Sequence, residues 1–298
     1  MTDQPIQNIR LESLPEHLRG ALAAHERHNP PHLYALLDMG RIQGQLREEV
    51  ADKLETSCAI PLINDPKYAQ IKYHCAQLVS DPDGSDEELL KAWGDCNGDV
   101  VSAWIVSRTS MPTLARHLCN AAFAYDQNKV RYVLRYYDPL SLPILYRLAD
   151  KQWLHWFFLP MDAWWYPVAT PMEETWSRIE GGGRPIALPP KEPLVMGEEL
   201  WDALAGDPFP YQLVEFVEKE KPSLFGDMCY GVRLAKIEDL LKAGESNGLE
   251  QADDLFIYVT ALLEVPSRAE EPLWQAALQK AVANEAPLRT YLTDLRKI

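Results

Sequence analysis

The sequence predicts an α/β N-terminal domain, with a mixed sheet flanked by helices, followed by a smaller all-helical C-terminal lobe. Two patterns lead to this fold class. Short apolar runs of strand length alternate with helical periodicity across residues 30–170, as in a layered α/β domain. Residues 197–298 show only the three- and four-residue spacing of amphipathic helices. A stretch rich in Pro and Gly, residues 171–196, is interpreted as a linker, and residues 1–29 as an N-terminal helical extension.

Six segments of the N-terminal domain are predicted to contain its strands. The run at Leu33–Leu37 is wholly apolar, and Val100–Val106 is apolar on both faces except at Ser102, as in a central strand. Val130–Tyr137 is rich in β-branched and aromatic residues, which indicates a clear strand. The remaining candidates are Ala59–Leu62, Ala76–Val79 and Phe157–Val168, the last with a break at Pro160.

The segments between these predicted strands have the apolar spacing of amphipathic helices. Ile42, Leu46, Val50 and Leu54 recur every fourth residue, and Ser85 with Glu88 forms a capping box. Further helices are expected around Leu11–Ala24, after Pro112 and around Ile144–Leu148. In the C-terminal lobe, five apolar stripes predict five helices: Leu213–Val217, Leu234–Leu241, Phe256–Leu263, Trp274–Ala281 and Leu288–Leu295.

The composition makes several classes of protein poor candidates. The formal net charge is −15, which repels a phosphate backbone, so no nucleic acid partner is expected. The five cysteines include no C-x-x-C pair, which argues against structural zinc and a disulfide framework and is typical of a reducing cytoplasm. The first residues are polar, and apolar runs are interrupted by charge before about 18 residues, so neither a secretory signal nor a membrane partner is expected.

One segment formally matches a catalytic motif. Gly244–Gly248 fits G-x-S-x-G, the nucleophile elbow of α/β-hydrolases, with Ser246 as the nucleophile. That elbow requires a preceding strand and a later His. Here the preceding residues have helical periodicity, and no His follows Ser246. We therefore expect a protein that is not an enzyme and has no catalytic residues, metal site or cofactor, with a Ser246 hydrolase as the alternative.

Residues 130–139 and the aromatic residues that follow them are the most distinctive part of the chain. Asp138 can cap the next helix with Pro139 in its first turn, while Ser141 with Pro143 offers a competing start. Arg135 beside this turn predicts an internal ion pair.

Two motifs and this aromatic segment resemble the adaptor/chaperone family of type VI secretion. The first motif is Tyr34-Ala35-Leu36-Leu37-Asp38, and the second is Arg135-Tyr136-Tyr137-Asp138-Pro139-Leu140. Leu140 stands where the family usually has Arg, so a contact made by that Arg is not carried over. The aromatic residues Trp153–Phe158, followed by Trp164, lie where the family has a Phe-rich strand before a Trp. The likeness covers residues 30–170 well and 197–298 loosely.

The resemblance implies a cytoplasmic carrier that binds a cognate toxic effector, keeps it soluble and loads it onto the VgrG spike without a cofactor. Tyr34, Asp38, Arg135, Tyr137, Asp138 and Pro139 are then structural or partner-binding motif residues. The surplus of large aromatic residues makes Trp153, Trp156, Trp164 and Trp165 the candidate contacts for the cargo, provided that they are exposed. An unrelated regulatory scaffold is a further alternative.

Overall fold

The computed structural model of the chain describes residues 8–24, 29–42, 44–63, 67, 70, 74–190 and 193–290. These residues form two compact units. The first comprises the described residues up to Val168 together with Glu174–Gly206, and the second comprises Ala169–Glu173 together with the described residues from Asp207 onward. The fold class is confirmed, because the first unit is a sheet with helices and the second is helical.

The first unit contains strands and helices in alternation. Its strands are β1 (Ile9–Arg10), β2 (His32–Asp38), β3 (Cys58–Pro61), β4 (Ala76–Ser80), β5 (Val101–Ser107), β6 (Phe123–Tyr125), β7 (Arg131–Val133), β8 (Ala163–Ala169) and β9 (Glu174–Glu180). Its helices are α1 (Leu14–Ala23), α2 (Gly44–Glu55), α3 (Asp86–Trp93), α4 (Met111–Ala121), α5 (Ser141–Leu148), α6 (Lys151–Phe158) and α7 (Glu198–Ala205).

Seven of these strands form one sheet in the order β1-β9-β8-β5-β2-β4-β3. Each register described within it, such as β2 on β5 and β5 on β8, is antiparallel, so these pairings are those of an antiparallel sheet instead of the mixed sheet that was predicted. Every residue of β5 is buried, which confirms the prediction of a central strand. The buried hydroxyl of Ser102 donates a hydrogen bond to the Leu36 carbonyl oxygen at 2.9 Å, so the polar residue in this strand is satisfied.

Alternate side chains of the sheet supply two apolar cores. On one face Tyr34, Leu36 and Ile105 pack with residues of α4, α5, α6 and α7. On the other face Leu33, Leu37 and Trp104 pack with residues of α1 and α3. This arrangement follows from the two-residue period of a strand, because a wholly apolar strand needs cover on both faces.

Two strand predictions need correction. Helix α6 contains Trp153–Phe158, the segment that lies where the family has a Phe-rich strand, because the Asp150 side chain accepts hydrogen bonds from the Gln152 and Trp153 amides and caps the helix. The strand predicted over Phe157–Val168 therefore begins only at Ala163, as β8. The strand predicted over Val130–Tyr137 ends at Val133 and pairs only with β6. Beyond it the chain turns, and the Asp138 amide donates to the Arg135 carbonyl oxygen at 2.9 Å.

The predicted linker, residues 171–196, also differs from the structure. It contains β9, whose Thr175 and Trp176 pair with β1, and helix α7 after it belongs to the first unit instead of to the helical lobe. The glycines and prolines cluster after residue 180, so only the second half of the segment has the linker composition from which the prediction was drawn.

The second unit consists of helices, as predicted. They are α8 (Phe209–Glu220), α9 (Tyr230–Ser246), α10 (Ala252–Glu264) and α11 (Pro272–Val282), with short 3-10 turns at Pro222–Leu224 and Pro266–Glu270. The buried Asp254 side chain accepts a hydrogen bond from the Leu288 amide at 2.8 Å and fixes the segment after α11. Tyr291, Leu292 and Leu295 of the fifth predicted stripe lie outside the described residues. Of the helices described here, none has the length and apolar character needed to cross a bilayer.

Candidate functional site

An ion pair joins the two motifs that the sequence analysis singled out. Asp38 is the last residue of β2, and Arg135 follows β7, 97 residues later in the chain. The Nη2 atom of Arg135 lies 2.5 Å from Oδ2 of Asp38. The side chain of Asp38 is only 4% exposed, whereas that of Arg135 is 45% exposed. The buried carboxylate therefore has its counter-ion at the surface.

A second carboxylate completes this site, which we call the motif cluster: Asp38, Arg41, Arg135 and Asp138. Nη2 of Arg135 lies 3.7 Å from Oδ2 of Asp138, which confirms the predicted internal ion pair. Nη1 of Arg41 lies 3.7 Å from Oδ1 of the same carboxylate. The sequence analysis did not identify Arg41, which stands three residues after the first motif.

Backbone hydrogen bonds hold both carboxylates of the motif cluster in place. Oδ1 of Asp38 accepts from the Gly40 amide at 3.1 Å, and Oδ1 of Asp138 accepts from the Leu140 amide at 3.0 Å. Helix α5 begins at Ser141, the competing start, so Asp138 caps the turn before the helix instead of the helix itself. Pro139 and Leu140 are half-buried in this turn.

The electrostatics of the motif cluster favour fixed charges over proton transfer. Burial alone would lower the pKa of Arg135, but the charges of Asp38 and Asp138 outweigh it and raise that pKa further above its usual range. The guanidinium therefore stays charged at any physiological pH. A guanidinium with a fixed charge can bind, orient or brace a partner group.

The motif tyrosines are buried structural residues. Tyr34 is enclosed in the core, and its hydroxyl donates to the Thr109 carbonyl oxygen at 2.8 Å. Burial raises the pKa of Tyr34 to about 12. Burial, followed by the charge of Asp38, also raises the pKa of Tyr137, whose ring lies 5.8 Å from the Arg135 guanidinium carbon. Of the six predicted motif residues, Arg135 is the one that is substantially exposed.

The four tryptophans predicted to bind cargo are all buried. Trp164 is fully enclosed, Trp165 packs in the opposite core, and Trp153 and Trp156 are 4% and 6% exposed. None of them is a freely exposed anchor, which corrects that prediction for the folded chain. Their role in packing is visible in α6, where the Trp153 and Phe157 rings stack at 5.0 Å with an angle of 6° between their planes.

Trp153 and Trp156 nevertheless line a surface groove. This aromatic groove has a volume of about 410 Å³. Four aromatic side chains and three prolines that follow β9 line the groove. The rings are Phe123, Tyr125, Trp153 and Trp156, and the prolines are Pro189, Pro190 and Pro193. The sequence analysis treated these prolines only as part of a linker. The co-occurrence of a proline-rich segment and an aromatic helix was the available signal for this groove.

A buried histidine lies behind the groove. The ring of His117 is 4.4 Å from that of Trp156, and Nε2 lies 2.9 Å from the Phe157 carbonyl oxygen, so Nε2 carries the proton. Burial lowers the pKa of His117 and favours its neutral form. Its Nδ1 atom has no hydrogen-bond partner among the described residues.

The hydrolase alternative receives no support from the position of Ser246. This residue is exposed and is the last residue of α9, so the G-x-S-x-G segment runs across the end of a helix. A nucleophile elbow needs a sharp turn between a strand and a helix. Within the described ranges, no group of three His, Cys, Asp or Glu side chains could hold a metal ion.

Comparison with known proteins gave one match. A protein-family model described as a domain of unknown function (DUF4123) matches residues 33–155. The searches of curated proteins and of solved structures returned no match. The matched segment begins in β2 and ends within α6, so it contains the whole motif cluster and Trp153. This part of the chain is similar to that domain.

Proposed function

We propose that this protein is an adaptor/chaperone of type VI secretion that binds a cognate effector in the cytoplasm and loads it onto the VgrG spike. The observation that carries the proposal is the family match over residues 33–155, a domain associated with type VI secretion adaptors. Both motifs on which the resemblance rests lie inside the matched segment, and their ends meet in the motif cluster.

The geometry supports binding as the activity of the site. The motif cluster places a permanently charged guanidinium at the surface and holds it between two anchored carboxylates. A rigid, partly exposed Arg is a common anchor in protein interfaces. We propose accordingly that the chain is not an enzyme and that its partners are the effector and VgrG.

Co-purification tests this function. The tagged chain is expressed with and without the toxin candidate encoded beside it, and the products are compared by size-exclusion chromatography. We expect the two proteins to co-elute, and we expect the toxin to be insoluble or short-lived when it is expressed alone. A toxin taken from an unrelated secretion locus is the control and should elute separately.

Two separate peaks, with a toxin that is soluble and stable on its own, would contradict the proposal. Loading is tested by adding purified VgrG to the complex. A ternary peak that forms only when all three proteins are present is the expected result.

A further inference from the structure

The smaller sheet of the first unit ends in an edge strand. One side of β7 pairs with β6. The far side of β6 is covered by residues 194–196, because the Tyr125 amide donates to the Leu194 carbonyl oxygen at 2.9 Å and the Met196 amide donates to the Tyr125 carbonyl oxygen at 2.7 Å. In the part of the chain that the structure describes, no strand pairs with the other side of β7. That side is therefore the open edge of this sheet.

The hydrogen bonds between β6 and β7 determine which backbone groups face the open edge. The Leu134 amide donates to the Ala122 carbonyl oxygen at 2.9 Å. The Asp126 amide donates to the Val130 carbonyl oxygen at 3.1 Å. Paired and unpaired positions alternate along an antiparallel ladder, so the amide and carbonyl groups of Val133 point away from β6. Neither group has a hydrogen-bond partner among the described residues, so Val133 offers one donor and one acceptor to a further strand.

Exposed apolar side chains accompany the open edge. Val130 and Tyr132 share one face of the strand, because alternate side chains of a strand point the same way. Val130 is 49% exposed. The Tyr132 ring lies 4.9 Å from that of Trp201 in α7, which is 38% exposed. A strand added to β7 can therefore cover apolar surface on this face in addition to forming backbone hydrogen bonds.

The charge around β7 is opposite to that of the chain as a whole. The segment between Asp126 and Asp138 contains Lys129, Arg131 and Arg135 and no acidic residue, although the formal net charge of the chain is −15. Both carboxylates that bound the segment accept hydrogen bonds from backbone amides. At physiological salt, charges act over about 8 Å, so the residues around the edge determine which segment is attracted. This local excess of cations favours an acidic partner segment.

The same cations make a second copy of the chain a poor occupant of the edge. Pairing β7 with β7 of another copy would bring Lys129 and Arg131 close to their counterparts. Like charges on neighbouring strands destabilise the pairing, whereas opposite charges stabilise it.

We propose that the open edge of β7 binds an extended, acidic segment of the effector, which joins the sheet as an added strand. The segment takes up the two free backbone groups of Val133, places carboxylates near Lys129 and Arg131, and lays an apolar side chain on the face of Val130 and Tyr132. This inference rests on the proposed function and deepens it by naming the chemistry of the bound segment. In strand addition, backbone hydrogen bonds supply the affinity and the flanking side chains supply the specificity.

Hydrogen–deuterium exchange of the Val133 amide tests strand addition directly. The full-length chain is exchanged alone and in its purified complex with the toxin candidate encoded beside it, and single amides are followed by mass spectrometry with residue-level fragmentation. We expect exchange at Val133 to slow by about tenfold or more in the complex, because it then requires the added strand to open. The Tyr132 amide, which faces β6, is the internal control and should change much less. The effector segment that becomes protected should be rich in Asp and Glu.

Variants of Lys129 test the acidic character of the bound segment. Lys129 is exposed in the turn before β7 and has a left-handed φ of 62°. Lys129→Gly removes the charge and also suits this backbone conformation, so weaker binding cannot be attributed to a damaged turn. We expect Lys129→Gly to weaken effector binding by about two- to fivefold, the range of one exposed ion pair, and Lys129→Glu to weaken it further. Lys280→Glu, at an exposed position of α11, is the matched control and should leave binding unchanged.

Formation of the effector complex separates this inference from the proposed function. If the effector co-elutes but the Val133 amide exchanges as fast as in the free chain, the edge assignment fails and the proposed function stands. The same holds if Lys129→Glu and Lys280→Glu bind the effector equally well. If the effector does not co-elute with the wild type, the proposed function and this inference fail together. Protection of Val133 that grows with the concentration of the chain alone would assign the edge to a second copy and overturn the inference.

Discussion

The Asp38–Arg135 ion pair offers the sharpest stability prediction. Arg135→Ala removes the counter-ion of a carboxylate that is almost completely buried at the end of β2. Loss of one partner of a fully buried pair costs about 3–5 kcal/mol, and loss of an exposed pair costs about 0–1 kcal/mol. Because Arg135 is nearly half exposed, water can reach the vacated space, and we expect an intermediate cost of about 2 kcal/mol. Asp38 keeps its hydrogen bond from the Gly40 amide, which limits the loss.

Thermal unfolding of the full chain, followed by circular dichroism, measures this cost. For a domain of 150–250 residues, about 2 kcal/mol corresponds to a fall in Tm of roughly 4–8 °C. Since the chain has two compact units, the transition assigned to the first unit is the one to compare. Lys91→Ala is the matched control, because the Lys91–Glu88 pair is well exposed on both sides and its loss should leave Tm unchanged.

A double-mutant cycle shows whether the ion pair is the cause. Asp38→Asn removes the buried charge, so Arg135→Ala should cost much less in that background than in the wild type. Arg135→Lys should lie between wild type and Arg135→Ala, because it keeps a charge and loses the planar fork. If Arg135→Ala and Lys91→Ala have equal Tm values, or if the two changes in the cycle are additive, the reasoning is refuted.

Three further predictions concern folding of the first unit. Burial lowers the pKa of His117 below its usual 6.5, so the stability that comes from neutral His117 is complete above pH 6.5 and is lost as the pH falls below it. His117→Gln should therefore flatten the pH dependence of the urea midpoint between pH 7.5 and 5.5, and an unchanged slope would contradict this. Ser85→Ala removes a cap that accepts from the Glu88 amide and should cost about 1 kcal/mol in urea unfolding, with no loss counting against the cap. Gly181→Ala places a Cβ against the Met161 carbonyl oxygen, closer than real Cβ atoms come, and should lower the free energy of unfolding by about 1–3 kcal/mol or more. Gly20→Ala meets open space in α1 and should not destabilise the chain, and equal effects of the two substitutions would refute the packing argument.

The strands and helices that the sequence predicted correctly are those with long or strongly marked patterns. Leu33–Leu37 and Val100–Val106 became β2 and β5, adjacent in the sheet, because wholly apolar runs are stable only where both faces are covered. Ser85 caps α3 as predicted, because a cap depends on residues within one turn of chain.

The errors lie where local patterns conflict. Trp153–Phe158 has the aromatic content of a strand, yet Asp150 caps it as a helix. Val130–Tyr137 alternates as a strand does, yet pairing with β6 is available only as far as Val133. Short apolar segments satisfy both helical and strand patterns, and tertiary packing decides between them.

The sequence by itself determined the fold class, most helices, the central strands and the ion pair between Arg135 and Asp138, because each depends on periodicity or on residues close in the chain. Tertiary structure alone decided that Arg135 also pairs with Asp38, that the predicted cargo tryptophans are buried, and that the prolines after β9 line a groove. These features join residues separated by tens of positions, and their geometry exists only once the sheet and its covering helices have packed.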